Sequence, residues 1–204
     1  MSVIINGDTG ITTPGVVNSA AETIATTLSV TGAITGSSTV AGSTGILYPL
    51  VSGTAVATTS GTSIDFTGIP SWVKRITVMF NGVSTSGGSD VMIQIGAGSI
   101  INTGYLGNGT RINGSGFAGT ANSTGFRLEA TLGSVGASIR YGSASIFLVT
   151  TNTYGINSNY SVAPAESATG TGTLALSGAL DRIRLTTVNG TDTFDAGTVN
   201  IMWE

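Results

Sequence analysis

Cysteine and histidine are both missing from the 204 residues, and charge is scarce: 7 Lys+Arg and 10 Asp+Glu make up 8% of the chain. Without imidazole there is no Ser-His-Asp or Cys-His catalysis, no histidine general base and no histidine metal ligand. Without thiol, disulfide frameworks, zinc knuckles, iron–sulfur centres and covalent cysteine chemistry fall away. Seven scattered cations in a chain of pI ≈ 4.7 do not make the basic stripe that a phosphate backbone requires, so nucleic acid is not an expected partner. Long apolar runs are missing too. The longest, such as Ile146-Phe147-Leu148-Val149, fall far short of the roughly 18 residues of a membrane span, and membrane insertion is not expected. The opening Met1-Ser2-Val3-Ile4-Ile5-Asn6 has no cationic region and is read as lacking a secretory signal.

Glycine is abundant instead, at 31 residues, and Gly, Ser and Thr together make up about two-fifths of the chain, where Gly alone averages roughly 7%. Apolar residues still reach 40%, with mean hydropathy +0.35 and net charge −3, the reverse of a disordered composition. Period-two alternation recurs and points to β-strands. Ile76, Val78 and Phe80 alternate with Thr77 and Met79; Val91, Ile93 and Ile95 with Met92 and Gln94; Val199, Ile201 and Trp203 with Asn200 and Met202. Asn-Gly pairs at Asn6, Asn81, Asn108, Asn113 and Asn189 offer the positive φ that hairpin turns need. A helical stripe is nearly absent, its one candidate being the short Thr-rich stretch from Asn18 to Ala25. The expected class is all-β.

The organisation changes near residue 46. Residues 2–45 hold no aromatic side chain and only two charges, Asp8 and Glu22, with thin apolar runs such as Leu28, Val30 and Ile34. Such a segment cannot bury a core of its own, and one-sided strands need a partner. Residues 1–46 are therefore read as an extended Gly/Thr-rich arm or stalk for docking and oligomerisation, with a flexible leader as the alternative. Residues 47–204 hold all the aromatics and most of the charge, and are read as a β-sandwich, jelly-roll-like knob. Within the knob, Ser63 to Ile69 followed by Val73 to Val78 echoes Thr173 to Ala179 followed by Leu180 to Leu185. Two such units fit two halves of a sandwich, or are a coincidence of composition. A chain this poor in charge would expose apolar patches as a monomer, so a homotrimer is expected, with a dimer as second choice. Gly-rich strands would permit close backbone approach at a three-fold axis.

Two stretches, Asn102 to Thr124 and Thr150 to Thr171, read as long loops. Tyr105, Tyr154 and Tyr160 lie in them beside Asn and Ser, the mixture of an adaptable recognition surface and equally of ordinary loops. They are the candidate partner-facing residues. Asp192 and Asp195 are the only acidic pair close in sequence, in a stretch that reads as a polar hairpin or, alternatively, as a Ca²⁺ loop of low acidic density. No second carboxylate is placed to make a glycosidase pair, and no catalytic, cofactor-binding or metal residues are assigned. Gly96-Ala97-Gly98 and Gly114-Ser115-Gly116 precede no helix that would present its N-terminus to a phosphate. Asn-x-Ser/Thr sequons at Asn108, Asn113, Asn122, Asn159 and Asn189 are a product of composition. Arg182 and Arg184, with Asp181, are expected to pair across a strand or a subunit boundary, or to line a solvated face.

The opening Ile4-Ile5-Asn6-Gly7-Asp8-Thr9-Gly10-Ile11-Thr12-Thr13-Pro14-Gly15, and the run Leu28 to Ile34, resemble the start of tailed-phage virion proteins of the tail-fibre type. The blocks Gly61 to Gly87 and Leu185 to Glu204 are similar to a recurrent C-terminal domain of those proteins. The resemblance spans both ends and leaves out the middle, about residues 102–171, as a variable partner-facing region would. It implies a homotrimeric, non-enzymatic virion component assembled in the host bacterial cytoplasm. The first expectation is a tail fibre or receptor-binding knob that meets a host-surface glycan or protein. The second is a capsid decoration (cement or head-fibre) protein bound to the major capsid protein. Other virion proteins would be engaged through residues 1–46. A polysaccharide-degrading enzyme is the third and least supported reading.

Overall fold

The computed structural model describes residues 40–42, 45–47, 49–132, 138–162 and 165–204. The chain divides into two units, Met1–Leu47 and Tyr48–Glu204. In the first, the described residues are a small antiparallel hairpin of β1 (Val40–Gly42) and β2 (Gly45–Leu47). The remainder of the expected arm, and Asn6-Gly7 with it, lies outside the described residues.

The second unit is built from antiparallel strands, and no helix occurs among the described residues. In chain order these are β3 (Val51–Ser52), β4 (Val56–Ala57), β5 (Ser63–Thr67), β6 (Arg75–Thr85), β7 (Val91–Ala97), β8 (Ser99–Ile100) and β9 (Leu106–Asn113). There follow β10 (Gly116–Ala121), β11 (Phe126–Arg127), β12 (Arg140–Thr150), β13 (Thr153–Val162), β14 (Glu166–Ala175), β15 (Arg182–Thr187) and β16 (Phe194–Trp203). The larger sheet runs β10-β9-β14-β13-β12-β6-β16-β3, with β4 also on β16. The smaller runs β11-β7-β15-β5, with β8 on β7. Both feed one core: Ile76, Val78, Ile146, Ile156 and Ile201 from the larger sheet join Ile93, Ile95, Ile183 and Leu185 from the smaller.

The alternating runs fold as the period-two rule requires. Ile76, Val78 and Phe80 of β6 are buried, as are Val199 and Ile201 of β16, with Trp203 half-buried. β7 differs: Met92 and Gln94 are buried along with Val91, Ile93 and Ile95, so this strand is covered on both sides. The sequence echo corresponds to two strand pairs that cross between the sheets. β5 leads into β6 from the smaller sheet to the larger, and β14 leads into β15 in the opposite direction. β5 and β15 then pair, with Asp65 opposite Arg184.

The two expected loops are largely strand, which corrects that reading. Residues 102–124 contain the hairpin of β9 and β10, and residues 150–171 contain β13 and much of β14. The strand signal is faint because the inward positions of β9 and β14 hold glycine where a core strand ordinarily holds a large apolar side chain. Gly109 stands opposite Gly170, and Gly107 opposite Gly172. A Cβ on Gly109 would lie 2.3 Å from the carbonyl oxygen of Glu129, and one on Gly170 2.5 Å from that of Arg127. The segment Phe126 to Glu129 therefore rests directly on the bare backbone of the larger sheet, a close approach that only glycine permits. The glycine-mediated approach in this structure is within one chain.

Of the Asn-Gly pairs among the described residues, Gly82 and Gly190 have positive φ, at 71° and 68°. Gly190 closes the turn after β15. Gly82 sits in a bulge of β6 against a second bulge at Gly197 of β16. Asn108-Gly109 lies inside β9 and serves the close approach just described. The β12–β13 turn has an unusual occupant: Thr151, a β-branched residue, at φ 33°.

Candidate functional site

The most organised polar constellation in the structure lies inside it. Arg111 and Arg140 sit at inward positions of β9 and β12, where the pleat aims them at the core, and both are almost wholly buried. Glu129 reaches them because the glycine pairs of β9 and β14 let its segment settle onto the sheet. It has no solvent exposure at all (0%). Its Oε1 accepts hydrogen bonds from Arg140 Nε at 2.9 Å, Arg140 Nη2 at 2.6 Å and the backbone N–H of Val91 at 3.1 Å. Arg111 donates to Glu166 and to Ser138 Oγ (3.0 Å), and its Nη1 stands 3.9 Å from Glu129 Oε2. Asn113 Nδ2 donates to the other oxygen of Glu166 at 2.9 Å.

The network continues into the smaller sheet. Arg127 donates to the carbonyl of Glu129 at 3.0 Å and forms an ion pair with the buried Asp90. Asp90 also accepts from the N–H of Thr131 at 3.1 Å. Three guanidinium groups thus face three carboxylates, and the buried charges sum to zero. That balance is what allows ions to stay buried, since each alone would cost several kcal/mol of desolvation.

The environment shifts the ionisable groups in consistent directions. Burial pulls the Arg140 guanidinium down, but Glu129 beside it more than compensates and holds it above its usual value. Burial lowers Arg127, with Glu129 opposing. Glu166 is pushed up by burial, yet Asn113 and Arg111 outweigh this and hold it below the ordinary carboxylate value. The Tyr160 hydroxyl is driven well above 10.0, first by burial and then by the charge of Glu129. It lies beside the Glu129–Arg140 pair, and neither the hydroxyl nor Oε2 of Glu129 has a hydrogen bond of good geometry. Chemically, this arrangement clamps one sheet to the other.

The three tyrosines expected to face a partner are all buried: Tyr105 at 2% exposure, Tyr154 at 5% and Tyr160 at 3%. The structure corrects their placement. Each ring fills the core while the hydroxyl of two of them meets the backbone, as buried tyrosine generally requires. Tyr105 takes the N–H of Ile95 at 2.8 Å and donates to the carbonyl of Ile101 at 2.9 Å, with its ring edge-on to Phe126 at 4.8 Å. Its hydroxyl is pushed up to about 12 by burial, against the hydrogen bond from Ile95. Tyr154 accepts from the N–H of Leu180 at 2.9 Å. Tyr160 packs against Phe80, with ring centroids 6.0 Å apart.

Asp192 and Asp195 are not brought together on a common ligand. Asp192 accepts from the N–H of Ser89 at 2.9 Å and from Asn189 Nδ2 at 2.7 Å, while Asp195 accepts from Ser84 Oγ. N–H donors aimed at both oxygens of Asp192 suit a braced turn. Among the described residues, no group of three or more acidic side chains is placed to hold a metal ion. Arg184 forms a bidentate pair with Asp65 across β15 and β5, at 2.7 Å for each bond, and Arg182 pairs with its neighbour Asp181. Asp181 in turn accepts from the N–H of Gly98 at 3.1 Å. Gly96 and Ala97 end β7 and Gly98, at φ 76°, makes the turn into β8, while Gly114-Ser115 closes the β9–β10 hairpin.

Sequence reasoning missed the Glu129–Arg111–Arg140 cluster. The available signal was positional: Arg111 shares the inward parity of Gly107 and Gly109, and in a chain so poor in charge a strand arginine of that parity must have a buried partner. Comparisons with protein-family models, with curated proteins and with solved structures find no match.

Proposed function

We propose that this chain is a non-enzymatic structural protein of a tailed-phage virion: a homotrimeric tail fibre or receptor-binding knob that meets the host surface. Residues 1–46 act as the stalk that docks it to other virion proteins, and residues 47–204 form the jelly-roll-like sandwich that two sheets around one core suggest. One observation carries the structural role. All six arginines are engaged in ion pairs within the chain, namely Arg75–Glu204, Arg111–Glu166, Arg127–Asp90, Arg140–Glu129, Arg182–Asp181 and Arg184–Asp65. The arginines among the described residues are thus engaged within the chain, four of them between segments far apart in sequence. The phage assignment itself is supported by the resemblance of the opening residues and of the two terminal blocks.

Antibody-gold labelling of intact virions tests this reading. Gold confined to the tail tip or baseplate is the expected outcome. Gold spread over the head would replace the fibre by a capsid decoration protein that binds the major capsid protein. Unlabelled particles would remove the virion assignment altogether.

A further inference from the structure

The two outer faces of the second unit differ sharply in charge. The smaller sheet turns Arg184 with Asp65, and Arg182, outward. The larger sheet, from β9 across β14, β13 and β12 to β6, turns outward residues that are almost all uncharged. The register lines up Asn108, Thr171, Asn157, Ser145 and Thr77 in one row across five strands. In the row two residues along, Thr110 and Thr169 hydrogen-bond through their hydroxyls at 2.7 Å. Its cation, Arg75, lies at the end of β6 and is tied to Glu204.

Large apolar side chains stand on the same face. Leu106 (71% exposed) and Ile112 (55%) project from β9, and Phe117 (66%) stands opposite Ile112 on β10. Tyr141 and Phe147 project from β12, with the Phe147 ring lying over Gly155. β10 ends the sheet and carries neither charge nor proline, the usual guards of an exposed edge.

We infer that this outer face of the larger sheet is where copies of the chain meet. Depletion of charge with retained polar and aromatic groups is the composition of an interface core. Its size is adequate. Six strands about 4.8 Å apart, each about seven residues long at roughly 3.4 Å per residue, cover on the order of 600 Å² before side-chain relief is added. A stable interface takes about 800 Å² of accessible surface from each partner. The exposed aliphatic groups Leu106 and Ile112 favour a protein surface, whose own apolar side chains cover them more completely than the small C–H faces of sugar rings would. The inference rests on the proposed self-assembly of the chain and names the surface that performs it.

The absence of cysteine makes a direct test available. Single variants Thr171→Cys and Asn157→Cys place a thiol on the face, and Thr67→Cys places one on the outer side of the smaller sheet. Maleimide labelling of the native full chain is expected to be roughly tenfold or more slower at the two face positions than at Thr67→Cys, with all rates equal after denaturation. Thr171→Arg is expected to reduce the sedimenting mass while leaving the circular dichroism spectrum unchanged. Equal native rates would overturn the assignment of the face, whatever the mass of the assembly. Protection that appears only on addition of a neutral polysaccharide would give the face to a glycan and overturn it as well. Neither result depends on where virions are labelled by gold, so the virion reading and the face fail separately.

Discussion

Glu129 is the residue on which the second unit is most exposed to a single change. Its carboxylate compensates Arg140 directly and Arg111 at 3.9 Å, and the residue has no exposed surface. Removing one partner of a buried pair leaves an uncompensated ion and costs about 3–5 kcal/mol. Glu129→Gln is therefore expected to lower the unfolding free energy by about that amount in a urea titration, with little change in slope. A loss under about 1 kcal/mol would mean that the pair is solvated and the clamp is not one. Thr151 carries the opposite expectation. A β-branched residue at φ 33° is strained, whereas glycine adopts that conformation freely. Thr151→Gly is expected to raise stability by about 0.5–1 kcal/mol, seen as an increase in melting temperature, because relief of strain exceeds the entropy that glycine adds to the unfolded chain.

At the scale of elements, the seating of the segment Phe126 to Glu129 on β9 and β14 is decisive. Gly109→Ala would put a methyl group 2.3 Å from a backbone oxygen that has no rotamer to escape into. The expected cost is about 3 kcal/mol, the upper range for an overpacked site, with hydrogen exchange rising first at Leu128, whose N–H bonds to the carbonyl of Val91. The same seating explains what could be read in advance. β6, β7 and β16 were legible because their inward positions hold Ile, Val and Phe in strict alternation. β14 was not, since its inward Ala168, Gly170 and Gly172 are small in order to admit a neighbouring backbone. In β13 the inward row Tyr154, Ile156, Ser158, Tyr160 and Val162 is present, but Gly, Asn and Ser between them imitate a loop. Tyr154 and Tyr160 were misplaced for the same reason: the Gly, Asn and Ser beside them are the outward side of β13, whereas Tyr105 lies just before β9 in a connection that does turn its ring into the core. The charge clamp depends on three segments that meet only after folding, so no local pattern announces it.

For the molecule as a whole, pH sets two limits of opposite sign. Glu166 and Asp181 are held below their ordinary values: Glu166 against the push of burial by Asn113 and Arg111, Asp181 chiefly by its bond with Arg182. A group with a lowered native pKa adds stability above its unfolded pKa and loses it as pH falls through the native value. Stability should therefore decline below about pH 4.5, with the exposed Asp181 contributing less than Glu166. Tyr105 and Tyr160 are raised, so their contribution is complete below pH 10 and is lost as pH climbs through the native values. For Tyr105, raised from 10.0 to about 12, the loss approaches about 3 kcal/mol. Circular dichroism and absorbance at the tyrosinate band, followed together through an alkaline titration, are expected to show ionisation of the two tyrosines coinciding with unfolding. Ionisation at pH 10 with intact ellipticity would mean that their hydroxyls are open to solvent.

The pairing order also sets a timetable. β12, β13 and β14 follow one another in the chain and in the sheet, and their turns close over short distances. β5 must instead wait for β15, with Asp65 and Arg184 separated by 119 residues, and β6 waits for β12 and β16. Closing such spans costs entropy before any contact repays it, so folding belongs to the slow, millisecond-to-second class. The meander of β12 to β14 is the natural nucleus, and the smaller sheet is the late step. Relief of the turn at Thr151 then shows as faster refolding, whereas breaking the Asp65–Arg184 pair shows as faster unfolding at an unchanged refolding rate.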